Sequence, residues 1–111
     1  SPVVNMAPSA TSSSRLAKTF RFTTALNPFT TNLNVKNLQI FLNDQGFTVS
    51  TTGAGSRGLE TNYFGSATKA AVIRFQEYYK SEVLTPVGLT KGTGYFGPST
   101  MRKVNLLLSS Y

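Results

Sequence analysis

The sequence predicts a mainly α domain of three short helices, two of them entered through the same turn. Three observations carry that reading. The first is a repeat: Asn62-Tyr63-Phe64-Gly65-Ser66-Ala67-Thr68 returns as Gly94-Tyr95-Phe96-Gly97-Pro98-Ser99-Thr100, with Tyr63 recurring as Tyr95, 32 positions on. The offset continues beyond the motif, matching Val72 to Val104, Phe75 to Leu107 and Tyr79 to Tyr111. The second is apolar spacing of helical period in three separate stretches. The third is the Gly and Pro punctuation that divides those stretches.

Residues 1–17 are Ser, Thr, Ala and Pro with a few apolar side chains, and show no periodicity. Such a segment buries no core of its own and reads as an extended arm or linker ahead of a domain at 18–111. Lys18 to Thr24 reads as a short strand, with Phe20 and Phe22 on one face. Asn27-Pro28 ends it. The first helix is expected from Asn34 to Asp44, capped by Asn32 or Asn34 and burying Val35, Leu38, Phe41 and Leu42. Gly46 stops it. Phe47 to Ser50 is a candidate second strand that would pair with the first, and Thr51 to Glu60 is a Gly-rich loop.

The second helix is expected from Gly65 or Ser66 to Tyr79, burying Ala71, Val72, Phe75 and Tyr79. A loop from Ser81 to Tyr95 follows, anchored by Val83, Leu84, Val87 and Leu89. The third helix opens at Pro98, where a missing N–H costs nothing. Its buried face is Met101, Val104, Leu107 and Leu108. A fainter echo reaches the first helix, since Val35-x-x-Leu38-Gln39 matches Val72-x-x-Phe75-Gln76.

Composition narrows the chemistry. With 111 residues the natural count is one domain. There is no Cys, so no disulfide framework and no redox compartment is implied, and no His to act as a neutral-pH base or metal ligand. The four carboxylates, Asp44, Glu60, Glu77 and Glu82, show no motif spacing. Glycoside cleavage needs two converging carboxyl groups, although Glu60 and Glu77 are free to meet in space. No catalytic residue, metal site or cofactor is therefore expected, and the chain does not read as an enzyme.

The net charge is +7. It suits an anionic partner such as a wall polymer, or serves solubility alone. Basic residues are scattered singly rather than clustered with exposed aromatics, so nucleic acid is not an expected partner. No apolar run reaches membrane-spanning length. Ser/Thr richness and a start at Ser1 read as a processed, exported product or an excised piece of something larger.

Taken together, the motifs resemble the peptidoglycan-binding-like domain, a small three-helix cell-wall-binding module. The resemblance covers about residues 33–108. It rests on Val35-x-x-Leu38-Gln39-x-x-Leu42 with Gly46, then Tyr63-Phe64-Gly65-x-x-Thr68-x-x-Ala71-Val72-x-x-Phe75-Gln76, then Tyr95-Phe96-Gly97-Pro98-x-Thr100 with Val104 and Leu107. The loops at 54–65 and 79–97 are similar to the long-loop versions found in bacterial surface proteins. Where the family often has Asp-Gly before the aromatic-Gly pair, this chain has Thr61-Asn62 and Thr93-Gly94.

The resemblance implies a non-catalytic, extracellular or cell-surface module that binds peptidoglycan or an anionic wall polymer in a shallow groove. Its walls are expected in the loops 51–63 and 81–95. The candidate ligand-binding residues are Tyr63, Tyr95, Asn62, Gln39 and Gln76. For the tyrosines, sugar stacking and ordinary packing are both open. Most glutamines at the border of a buried stripe bond a loop carbonyl, with ligand contact the second option. Phe64 and Phe96 read as core plugs.

An alternative belongs to another class: a self-assembling structural subunit of a filament, tube or surface layer. Ordering the arm costs on the order of 1 kcal/mol per residue, more than isolated Ser/Thr contacts return. The arm would then need a surface outside itself. Val3, Val4, Met6 and Leu16 are expected to contact another copy of the chain, with Phe20 and Phe22 anchoring the arm's exit.

Overall fold

A computed structural model describes residues 16, 17 and 19–109. The helix α1 spans Leu33–Asp44, and Asn32 is its cap, its side chain accepting from the Asn34 N–H at 2.8 Å. Val35, Leu38, Phe41 and Leu42 are buried along one stripe. Gly46, at φ +89°, takes the left-handed turn that stops the helix. Helix α2 spans Ser66–Tyr78 and α4 spans Pro98–Ser109, so both start at the same place in the repeat. Phe64 and Phe96 are fully buried, as the repeat predicts.

An aromatic cluster joins the helices. Phe75 of α2 meets Phe41 at 5.8 Å and Phe47 at 5.5 Å, both edge-on. Phe96 meets Phe22 at 5.1 Å, and Phe22 meets Phe20 at 4.9 Å. Edge-on pairs of this kind add stabilisation beyond the area they bury.

Several expectations are corrected. No strand forms between residues 19 and 24 among the described residues. The Phe22 N–H donates to Asn105 Oδ1 at 2.8 Å, and Asn105 Nδ2 donates to the Phe22 carbonyl at 2.9 Å. One side chain of α4 thus satisfies the backbone groups that a neighbouring strand would have paired. The expected pairing of 47–50 with this segment is absent too. Phe47 and Val49 instead turn into the core, and Ser50 forms only a single bridge to Ser56.

The region after α2 is also more ordered than a loop. A turn of helix, α3, spans Lys80–Val83, and a 3₁₀ turn spans Thr85–Val87. Val83 and Leu84 are the buried anchors; Val87 and Leu89, expected beside them, are exposed. Tyr79, Met101 and Leu107 are half-buried at the core margin rather than inside it, and Leu108 takes the interior position. Tyr111 lies outside the described residues.

Residues 26–32 tie the two turns together. Leu26 and Phe96 exchange N–H···O bonds at 3.0 and 3.1 Å. The Phe64 N–H donates to the Thr30 carbonyl at 2.9 Å, and the Asn32 N–H to the Asn62 carbonyl at 2.9 Å. One extended connection therefore fixes both turn-helix entrances against each other.

Candidate functional site

A buried glutamine on the preceding helix organises each turn. Gln39 of α1 donates from Nε2 to the Tyr63 carbonyl at 3.0 Å and to Thr68 Oγ1 at 2.9 Å, while its Oε1 accepts from the Thr61 N–H at 2.7 Å. Gln76 of α2 repeats the pattern one unit later. Its Nε2 donates to the Tyr95 carbonyl at 2.9 Å and to Thr100 Oγ1 at 3.1 Å, and its Oε1 accepts from the Thr93 N–H at 2.8 Å. A threonine closes both arrangements, as Thr61 Oγ1 and Thr93 Oγ1 accept from the Tyr63 and Tyr95 N–H groups. Fully satisfied buried networks of this kind rigidify what they hold.

What they hold is a tyrosine. Tyr63 is 50% exposed and Tyr95 40%. Each ring lies across the glycine two residues on. A Cβ at Gly65 would stand 3.0 Å from the Tyr63 ring, and one at Gly97 only 2.6 Å from the Tyr95 ring. A side chain at either position would push the ring aside, so glycine is what lets each tyrosine lie this close to its turn. The outcome is a flat aromatic face, partly open to solvent, on a turn fixed from beneath.

Beside each tyrosine is a cleft. The first, of about 270 Å³, has Tyr63, Gly65 and Thr68 along one side and Val49, Ala54 and Gly55 along the other. The second, of about 340 Å³, has Tyr95, Gly97 and Thr100 opposite Val83, Leu84, Val87 and Leu89, with Arg102 at its edge. Corresponding positions of the repeat thus line both, while the opposite walls come from unrelated loops. Sequence reasoning placed the walls in 51–63 and 81–95 but did not foresee two separate clefts; the repeated Gln-to-turn spacing was the available signal.

The remaining candidate residues fall as follows. Asn62 is exposed next to Tyr63. Leu16, Phe20 and Phe22 pack on the domain's own core, whereas Val3, Val4 and Met6 lie outside the described residues. The carboxylates are dispersed: Asp44 pairs with Arg57 at 2.8 Å and Glu82 with Lys103 at 2.6 Å. Glu60 accepts from Asn43 Nδ2 and the Gly58 N–H, and Glu77 from the Gly92 N–H. Among the described residues, no group of three or more His, Cys, Asp or Glu could hold a metal ion. No helix there is long and apolar enough to cross a membrane.

Residues 31–83 match the family model described as "Putative peptidoglycan binding domain". That stretch is similar to a peptidoglycan-binding-like domain. The match includes α1, the first tyrosine turn and α2, and ends before the second turn at Tyr95. No curated protein and no solved structure matches the chain. Within residues 31–83, α1 supplies the glutamine and α2 the helix that the first turn opens, so the matched stretch contains one complete glutamine-turn-helix unit.

Proposed function

We propose that the domain recognises peptidoglycan or a related wall polymer without catalysis, at the cell surface, through its two tyrosine clefts. The observation that carries this reading is the duplicated placement of Tyr63 and Tyr95, each half-exposed, each laid on a glycine, and each beside a cleft. A sugar ring presents an apolar C–H face that packs on an aromatic ring, while its hydroxyl groups seek nearby donors and acceptors. Asn62 offers both at the first turn. Gln39 and Gln76 contribute to this site through the tyrosine carbonyls they fix, since both side chains are buried. The excess of basic residues adds a long-range attraction to anionic wall components.

Co-sedimentation with insoluble peptidoglycan tests the reading. The wild-type chain is expected to sediment with the polymer, and most of that retention should survive at 1 M salt, where charge-driven adhesion is screened. The Tyr63→Ala, Tyr95→Ala double variant should remain in the supernatant while keeping its helical content. Full retention of the double variant would remove the tyrosines from the site; loss of all wild-type binding at high salt would reduce the interaction to charge alone.

A further inference from the structure

Between the two turns stands a residue that folding alone does not explain. Phe29, in the turn Asn27-Pro28-Phe29-Thr30, has φ +65°. That left-handed conformation is taken without strain by glycine and tolerated by asparagine, and is a genuine outlier for a bulky side chain. Burial does not offset the strain, because Phe29 is 58% exposed. Its backbone is nonetheless firmly held, with the Phe29 N–H donating to the Phe64 carbonyl and Thr30 Oγ1 donating to the Asn27 carbonyl. A strained residue at an exposed position that the surrounding structure over-determines points to a task outside the domain.

A cation accompanies the ring. Lys69 Nζ lies 5.8 Å from the Phe29 ring centroid. Its stem crosses the second turn over Gly94, where a Cβ would come 2.5 Å from Lys69 Cγ. The first turn carries Asn62 at the matching position, so the absence of a side chain at Gly94 is what lets Lys69 reach toward Phe29. All four carboxylates of the chain are engaged with Arg57, Lys103, Asn43 or backbone N–H groups elsewhere.

We propose that Phe29 and Lys69 form a contact surface for a carboxylate-bearing sugar, the ring stacking on the apolar face of the pyranose and the ammonium pairing with its acid group. The assignment rests on the peptidoglycan reading and names the kind of residue in the polymer that this surface selects, a muramic acid whose lactyl carboxyl is free of stem peptide. Aromatic stacking supplies orientation, and the charged pair discriminates acidic from neutral sugars.

The test uses the full chain, two variants and two soluble probes, N-acetylmuramic acid and its neutral counterpart N-acetylglucosamine, followed by NMR titration. The wild type should prefer the acidic sugar, with shifts at Phe29 and Lys69. Lys69→Gln, which keeps the stem over Gly94, should abolish that preference. Phe29→Gly relieves the strain, so its Tm should stay level or rise by a few degrees while affinity for the acidic sugar falls about fivefold. A Tm several degrees lower with unchanged affinity would make Phe29 a structural residue and overturn the proposal, as would an acid preference that survives Lys69→Gln. Shifts confined to the tyrosine clefts would discard this surface and leave the functional reading standing. Failure of the wild type to sediment with peptidoglycan would remove that reading, and the soluble sugars would still decide whether Phe29 and Lys69 bind an acid.

Discussion

The turn before α2 and the turn before α4 are held by corresponding bonds, yet the clefts above them meet different chain. Around Tyr63 the opposite wall is Val49, Ala54 and Gly55, small residues of a Gly-rich loop. Around Tyr95 it is Val83, Leu84, Val87 and Leu89, carried on α3 and the 3₁₀ turn. The glutamine frames differ in one bond only: Gln76 Oε1 also accepts from the Gly94 N–H at 3.0 Å. The frame, which must position a backbone, is repeated nearly atom for atom. The walls, which would meet a ligand, are not. Duplication here separates what holds a turn from what lines the cleft above it, and under the proposed function the different walls would let the two clefts take chemically different parts of one polymer.

The largest expected effect tests whether the two units are equal partners in folding. Phe64→Ala and Phe96→Ala each remove a fully buried ring and should cost about 3–5 kcal/mol, read as loss of cooperative thermal unfolding. If Phe96→Ala only frays α4 while Phe64→Ala unfolds the chain, the second unit is an appendage of the first. The glutamines come next. A buried donor left without its acceptor costs about 1–3 kcal/mol; Gln76→Ala strands two N–H groups and Gln39→Ala one. Denaturant midpoints should therefore fall further for Gln76→Ala, and an equal fall would mean the Gly94 bond contributes nothing. The smallest effect sharpens the difference between the walls. Leu89→Ser alters an exposed side chain and should change stability by no more than about 0.5 kcal/mol. Its consequence should appear in peptidoglycan retention instead, with no counterpart for Ala54→Ser in the first cleft.

Much of this architecture was legible because the repeat writes it twice. Aromatic, glycine and threonine at fixed offsets mark the turn, and Val72 with Val104 marks the buried face behind it. Gln39 and Gln76 were visible as border positions, but their grip on Thr61 and Thr93 crosses 22 and 17 residues and has no local signature. The strand expected over 18–24 failed for a definable reason. Alternation of Phe20 and Phe22 reports an extended backbone without saying what pairs with it, and here Asn105 does. The helical turns after Tyr79 were hidden by Pro86 and Gly88, which punctuate a 3₁₀ turn as readily as a loop. Phe29 was invisible as a site because its meaning lies in a dihedral angle. No pattern of residue types announces a phenylalanine where glycine belongs.

The two bonds between Leu26 and Phe96, and the clasp of Asn105 on Phe22, also bear on how the molecule forms. Asn105 lies 83 positions from Phe22, so these contacts close a loop that spans most of the described chain. Local helices and the first glutamine-turn unit can assemble without them, whereas α4 is locked only when the segment around Phe22 arrives. Loop closure over that span delays folding rather than weakening the final state. A ribosome would release Phe22 early and hold it waiting until α4 emerged. During that interval Phe22 lacks the Phe96 ring and the Asn105 clasp, and the half-made chain is at its most vulnerable to proteases and to its neighbours.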